Sequence, residues 1–418
     1  MRFLKSQFKA LAFLPLVLFC SVAIGQSTGS FRGFVYDKEN GQAILFTNVI
    51  LEGTSYGATT DENGFFSITQ VPIGTYTLVI KTINYESVRE EITIEDGKYL
   101  TRKFYLNPQA IEMDEVEVSA EKVRNTTQVK MSVTKISPKE IKALPSIGGQ
   151  PDLAQYLQVL PGVIFTGDQG GQLYIRGGSP IQNMVMLDGM IIYNPFHSIG
   201  LFSVFDTDII SNADVYTGGF NAKYGGRISS VMDISTRAGN KSYHSGKVGV
   251  NPFGARLLLE GPLNKLDAES GTSSSYILSA KTSYLEQSAN QFYSYASDDG
   301  LPYTFTDLYG KMSFNSRNGS QFNLFGFNFR DAVKYQNVSN LNWNTFGFGS
   351  NFMLVPANNP VIIEGNFSYS SYDIQLKENE QAERRSTINN FTFGLNFKYF
   401  NGDNETRYGI NVFGLSTL

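Results

Sequence analysis

The chain has 418 residues and a formal net charge of −4, with 13% aromatic but only 17% charged residues. That length suits roughly two or three domains. The acidic balance and the lack of any basic run exclude nucleic acid as a partner, because phosphate contacts need a positive surface. Two histidines, His197 and His244, lie far apart in the chain and exclude a zinc peptidase built on a local ligand cluster.

Arg2, Lys5 and Lys9 form a positive start, residues 10–20 an apolar run, and Ala23-Ile24-Gly25 places small residues where a signal peptidase needs them. Residues 1–25 therefore read as a Sec-type export signal. The apolar run is too short for a transmembrane helix. Phe19 stands before Cys20, where a lipobox needs a small residue, so lipidation is not expected. Cleavage after Gly25 removes the only cysteine and leaves a mature chain without thiols.

Residues 26–107 read as a small all-β domain. β-rich runs at 31–36, 48–51, 65–68, 76–80 and 99–106 are separated by turn signals: Glu39-Asn40-Gly41, Asp61-Glu62-Asn63-Gly64, Pro72-Ile73-Gly74 and Asp96-Gly97. Strands this short with turns this regular predict a seven-stranded β-sandwich. Asp61 and Asn63 lack the full set of spaced oxygen ligands of a calcium loop, so the DENG segment reads as a turn.

Residues 108–131 form a linker holding Asp114, Glu115, Val116, Glu117, Val118 and Ser119. Alternating Val116 and Val118 suit an extended segment that adds edge-on to a partner sheet, or an ordinary strand. Residues 132–240 read as a small α+β unit. Ser137-Pro138-Lys139-Glu140 is a capping box with proline at the first helical position. A second helix fits 151–160, with Leu153, Leu157 and Leu160 on one face. Short apolar runs and glycine doublets follow: Arg176-Gly177-Gly178, Leu187-Asp188-Gly189, Val215-Tyr216-Thr217-Gly218-Gly219-Phe220 and Tyr224-Gly225-Gly226-Arg227. They read as short strands joined by tight turns, since glycine supplies positive φ or lets backbones approach closely. Tyr193, Asn194, Phe196 and His197 mix rings, an amide and an imidazole in one loop. Two readings stay open for them: packing against a neighbouring wall, or contact with a ligand. His197 beside Ser198 does not make a nucleophile pair, and no catalytic constellation stands elsewhere.

From 241 to 418 the pattern alternates in period two. Phe391, Phe393, Leu395, Phe397 and Tyr399 oppose Thr392, Gly394, Asn396 and Lys398; Leu278 and Ala280 oppose Ser279 and Lys281; Phe346, Phe348, Phe352 and Leu354 repeat it, as do Ile410 and Val412. This is the dyad pattern of an antiparallel membrane barrel, apolar toward lipid and polar toward the lumen.

The glycine-rich series from Arg176 to Arg227 resembles the plug domain of TonB-dependent outer-membrane receptors. The pattern GFV-x-D, NVILEGT, ATTDENGFFSI and VPIGTYTLVI resembles the non-catalytic carboxypeptidase regulatory-like domain that precedes the plug in Bacteroidetes receptors. Asp114 to Ser119 is similar to the TonB box. The resemblance implies energy-coupled uptake of a scarce nutrient through a plugged barrel in the outer membrane of a Gram-negative bacterium. A TonB-type coupling protein, a small nutrient ligand, membrane lipid and a surface lipoprotein would be its partners, with no cofactor or metal. It makes Arg176, Gly177, Gly178, Asp188, Gly189, Tyr224, Gly225, Gly226 and Arg227 structural plug residues, with Arg176 and Arg227 as plug-to-barrel contacts. An envelope adhesion or scaffold protein with a soluble β-rich C-terminal part is the alternative. Roughly nine strands follow the plug, where plugged transporters have about 22, so the chain is expected to be an N-terminal fragment of a longer receptor.

Overall fold

The computed structural model describes residues 27–109, 133–146, 150–166, 172–197, 200, 202–267, 270–285, 287–288, 303–335, 339–378, 381–402 and 404–418. The export signal and the segment Asp114 to Ser119 lie outside the described residues.

The N-terminal unit has seven strands in two sheets: β1 (Thr28–Asp37), β2 (Asn48–Leu51), β3 (Gly57–Thr59), β4 (Phe65–Pro72), β5 (Gly74–Lys81), β6 (Val88–Ile94) and β7 (Tyr99–Leu106). Their orders are β4-β1-β7 and β3-β2-β5-β6. The expected sandwich is therefore present, divided three against four. Between the sheets Phe31, Val35, Leu51, Phe66, Leu78, Ile80, Ile92 and Phe104 pack in one apolar cluster, with the rings of Phe31 and Phe66 5.5 Å apart. The DENG segment is a turn. Asp61 Oδ1 accepts from the backbone N–H of Asn63 and Phe65 at 2.9 and 3.0 Å, and Gly64 takes φ +73° to close it.

The second unit carries β8 (Val133–Ile136), α1 (Pro138–Ala143), α2 (Leu153–Leu157), β9 (Val163–Thr166), β10 (Gln172–Ile175), β11 (Asn183–Leu187), β12 (Met190–Ile191), β13 (Ile210–Tyr216) and β14 (Ser230–Thr236). Ser137 and Glu140 form the anticipated reciprocal cap on α1. The second helix is two residues shorter at its start and three at its end than the expected 151–160; Asp152 caps its start by accepting from Ala154 N, and Leu153, Leu157 and Leu160 are all buried. Five strands form a mixed sheet, β12-β11-β14-β13-β8, in which β11 and β14 run parallel.

The third unit is a nine-stranded antiparallel meander in sequential order: β15 (Ser245–Asn251), β16 (Gly254–Asn264), β17 (Ser273–Ser283), β18 (Tyr303–Asn315), β19 (Gln321–Tyr335), β20 (Ser339–Leu354), β21 (Val361–Glu378), β22 (Arg384–Asn401) and β23 (Asn404–Thr417). The sheet curls round the second unit without closing. Its inner face contributes Leu258, Ile277, Tyr309, Phe325, Phe327 and Phe329 to the same core as Leu187, Phe205 and Ile234 of the inner unit. On the outer face Leu278, Phe346, Phe348, Phe391 and Phe393 are exposed, while their neighbours Ser279, Lys281 and Thr392 are buried. The alternation read from the sequence therefore assigns inside and outside correctly.

The sandwich sits on one end of this sheet. Arg32 donates to the carbonyls of Asn359 and Pro356 in the β20–β21 turn, and Lys103 to those of Gly271 and Ser316. Phe34, Tyr36 and Phe65 pack with Met353, Val355 and Ile362.

Candidate functional site

The seam between the inner unit and the sheet wall is where charged groups are buried. It begins at the hairpin joining β11 to β12. Leu187 pairs with Met190, and the two residues between them, Asp188 and Gly189, have φ of 49° and 85°. Positive φ at both central positions is the type I′ geometry that matches strand twist. The turn aims Asp188 at the wall. Its carboxylate accepts from Thr236 N at 3.0 Å, Thr236 Oγ1 at 2.6 Å and Tyr309 Oη at 2.7 Å. Lys311 Nζ stands 3.4 Å away and donates to the Thr236 carbonyl at 2.9 Å. Asp188, Thr236, Tyr309 and Lys311 are all buried, so the hairpin, the end of β14 and β18 of the wall are joined by direct polar contacts.

A second knot lies round the loop before β13. Asp208 takes Lys142 of α1 at 2.6 Å, Lys247 of β15 at 2.9 Å and Arg256 of β16 at 3.0 Å. Burial pushes its carboxyl up, but these cations outweigh that and hold it at about 2. Asp206 Oδ2 accepts from Ser279 Oγ at 2.7 Å. Arg237 forms a bidentate pair with Glu260 at 2.5 and 2.9 Å, the fork geometry that fixes orientation as well as charge.

The third knot is His197. Its Nε2 lies 2.8 Å from Asp307 Oδ2 and its Nδ1 3.5 Å from Asp331 Oδ2. The ring stacks on Phe305 at 3.9 Å, and Lys281 Nζ reaches the same Asp307 oxygen at 3.3 Å. Burial pulls the imidazole down, but Asp307 and Asp331 outweigh it and raise it to about 9, so the ring is protonated at neutral pH. A His–Asp pair is part of a hydrolytic triad. Here Nδ1 has no hydrogen-bonded hydroxyl or thiol and the imidazole is 1% exposed. The pair holds two elements together and has no access to a substrate.

These positions revise part of the sequence reading. Of the two readings left open for Phe196 and His197, packing is what the geometry favours: Phe196 is buried edge-on against Phe165 of β9 in its own unit at 5.2 Å, and His197 is engaged by Asp307 of the wall. Tyr193 and Asn194 are half-buried, Tyr193 stacked on Tyr372 of the wall at 6.2 Å. Arg176 and Arg227 are not the wall contacts expected of them. Arg176 is exposed at φ 47° beside Gly177 at φ 81°, and Arg227 donates to the carbonyls of Asn183 and Gly226 within its own unit. Gly178 is needed for close approach, since a Cβ there would stand 2.2 Å from Ser229 Oγ. Tyr224 is buried and donates to Asp233 at 2.8 Å; Gly225 and Gly226 are exposed, Gly226 at φ +81°. The residues that do cross the seam, Asp206, Asp208, Arg237, Lys281, Asp307 and Lys311, went unmarked as sites. Their signal was present on the wall side, where Asp307, Tyr309, Lys311 and Ser313 alternate with Leu308, Gly310 and Met312.

Residues 31–118 match the CarboxypepD_reg-like domain and residues 125–231 the TonB-dependent receptor plug domain. The chain is 25% identical over 243 residues to TonB-dependent receptor P3 of Formosa agariphila, covering 56% of this chain and 23% of that one. It is 25% identical over 255 residues to TonB-dependent receptor SusC of Bacteroides thetaiotaomicron, covering 58% and 24%. It thus spans about a quarter of the length of these curated relatives. Among solved structures, the siderophore receptor PirA from Acinetobacter baumannii aligns with a TM-score of 0.51 at 15% identity over 72% of this chain and 50% of that one. The copper transporter OprC aligns at 0.51 and 11%, over 69% and 46%. At such identities the structures speak for the fold alone. The relatives are receptors rather than enzymes or scaffold proteins. The chain thus carries a regulatory-like domain and a TonB-dependent receptor plug domain in the order seen ahead of the barrel, and it is similar over both to TonB-dependent receptors of Bacteroidetes.

Proposed function

We propose that this receptor takes up a scarce nutrient across the outer membrane by energy-coupled displacement of the plug, after Sec export of the chain. The observation that carries the reading is the seam. A plug that must leave its barrel and return is helped by contacts that water can replace, and here buried ion pairs and hydrogen bonds to Asp188, Asp208 and His197 share the holding with an apolar contact. Pulling would be applied at Asp114 to Ser119, which a TonB-type protein captures by strand addition. Main-chain N–H groups make that contact, so proline at Val116 removes a donor from the pairing edge. Substrate would be met by plug and barrel loops on the end away from the sandwich. A surface lipoprotein would hand it over there.

The test is a pull-down of the TonB-type protein's periplasmic domain by the purified receptor. Val116→Pro is expected to lower retention at least ten-fold while leaving the plug seated. Retention equal to wild type would refute the coupling role of this segment.

A further inference from the structure

The sandwich docks on the end of the sheet where alternate strands are joined, and it reaches four of those turns. Arg32 donates to the carbonyls of Pro356 and Asn359 between β20 and β21, the latter at 2.7 Å. Lys103 donates to those of Gly271, between β16 and β17, and Ser316, between β18 and β19, both at 2.8 Å. At the turn from β22 to β23, Thr69 donates to the Gly402 carbonyl at 2.9 Å and Gln70 to Asn401 Oδ1 at 2.6 Å. The sandwich also grips the connector from β14 to β15. Gln42 donates to the carbonyls of Ala238 and Gly239 at 2.9 and 3.0 Å, and Lys241 N donates to the Asn40 carbonyl at 2.9 Å.

Docking leaves two polar cavities of about 200 and 240 Å³ between sandwich, plug and wall. Glu62 and Asn63 of the DENG turn, Ser211 and Thr236 of the plug, and Gln321 and Asn323 of β19 line both. In the first, the wall presents an amide on each of three strands, because Asn323 pairs with Asn351 and Asn351 with Asn366 in register. The docked state also carries strain. Lys241 is 5% exposed, and no carboxylate pairs with it among the described residues. Its ammonium lies 4.9 Å from the centre of the Tyr36 ring, and burial together with Lys103 pulls it down to about 7. Phe46, whose ring carries Lys135 of β8 at 4.1 Å, and Gln70 have φ of 54° and 58°, which in a non-glycine residue only the surrounding contacts sustain. The packing of Phe34, Tyr36 and Phe65 on Met353, Val355 and Ile362 works against these costs.

We propose that the sandwich is a lid: docked on the turns it closes the polar chamber between plug and wall on the periplasmic side, and solute leaves the chamber only after the sandwich swings off as a body. Most of the polar contacts that seat it are hydrogen bonds to main-chain carbonyls at turns, which water can replace, and undocking returns the Lys241 ammonium to solvent. Units of one chain move relative to each other unless the interface between them is large and apolar. The core of the sandwich lies between its own two sheets, so the lid opens without unfolding. In the chain the segment Asp114 to Ser119 stands between β7 and β8. A pull on it therefore acts on the lid through β7 as well as on the plug through β8.

The inference rests on the uptake reading above for the direction of exit, but its test needs no transport. Asn323→Cys is introduced into the full receptor, and its modification by a maleimide with a polyethylene glycol tail too large for either cavity is followed by gel shift. The receptor without that cysteine is the blank, and the temperature is one at which Asn323→Cys alone reacts measurably. Hydrogen exchange of β2 and β5 and of β11 to β14 shows that sandwich and plug stay folded. Adding Arg32→Ala with Lys103→Ala should raise the rate at least ten-fold. Adding Lys241→Met, which removes the unpaired ammonium and keeps most of the side chain's bulk, should lower it at least three-fold. A damaged sandwich would account for the first change but not for the second. Equal rates in all three, or faster modification with Lys241→Met, would overturn the lid and leave the uptake reading intact. Modification that rises only with loss of protection in β11 to β14 would put the opening in the plug and overturn the lid as well.

Discussion

Between the two sheets of the sandwich, Phe31, Val35, Phe66, Leu78 and Phe104 meet only other apolar groups. Between the plug and the wall, an apolar contact of Leu187, Phe205 and Ile234 with Ile277, Phe325, Phe327 and Phe329 is interleaved with buried charges: Asp188 meets Lys311, His197 meets Asp307, and Asp208 meets Lys142, Lys247 and Arg256. Both regions are buried, but they respond differently to water. Opening the sandwich exposes apolar area at about 25 cal/mol per Å². Opening the seam also exposes apolar area, but it returns the interleaved charges and hydroxyls to a solvent that satisfies them almost as well. One region is built to stay closed and the other to open under load.

The comparison can be broken most strongly at Asp188. Replacing it with alanine leaves the buried Lys311 without its ion-pair partner, and loss of one partner of a buried pair costs about 3–5 kcal/mol. Asp188→Ala should lower the urea concentration at which hydrogen exchange reports plug release, with the sandwich transition unchanged. The mirror experiment is Phe66→Ala, which leaves a cavity between the sheets and should cost the sandwich about 3–5 kcal/mol in denaturation without moving plug release. If either substitution shifted both transitions equally, the two regions would not be independent.

His197 sharpens the contrast through pH. Its folded value is raised to about 9 above an ordinary 6.5 or so. The stabilisation is therefore complete below about 6.5 and disappears as pH rises through 9. Urea midpoints for plug release should fall between those limits in wild type, and the slope should flatten in His197→Gln. A smaller effect is expected from Ser137→Ala, which removes the reciprocal cap on α1 and should cost the plug about 1 kcal/mol. Smallest is Arg89→Ala. Its partner Glu52 lies 3.1 Å away on the sandwich surface, with both side chains largely exposed, and an exposed pair contributes about 0–1 kcal/mol.

Much of the fold was legible because its signals are local. The DENG turn, the capping box at Ser137 and the alternation of Phe391 to Tyr399 each fix geometry within a few residues. Arg176-Gly177 and Asp188-Gly189 could be seen as turns for the same reason, and each pair has positive φ at both positions. The seam was far less legible because its partners are distant in the chain. His197 and Asp307 are separated by 110 residues, and nothing near either one announces the other. Ring and imidazole in one loop fit a ligand or a wall equally well in sequence, and only the fold brings Phe305 to 3.9 Å from the His197 ring. Arg227 lay in the most recognisable motif yet serves its own turn, whereas Arg237, outside those motifs, crosses to Glu260.

The central claim is that buried polar contacts are built into the plug's apolar seat because it must be released. Replacing the buried charges His197, Asp307 and Lys281 together by Phe, Leu and Met tests it most directly, since well-packed apolar groups of similar volume commonly match or exceed a buried ionic cluster in stability. Urea-dependent hydrogen exchange of β11 to β14 in the full receptor would be compared with wild type. A plug released only at higher urea is the predicted result. Release at equal or lower urea would contradict the account.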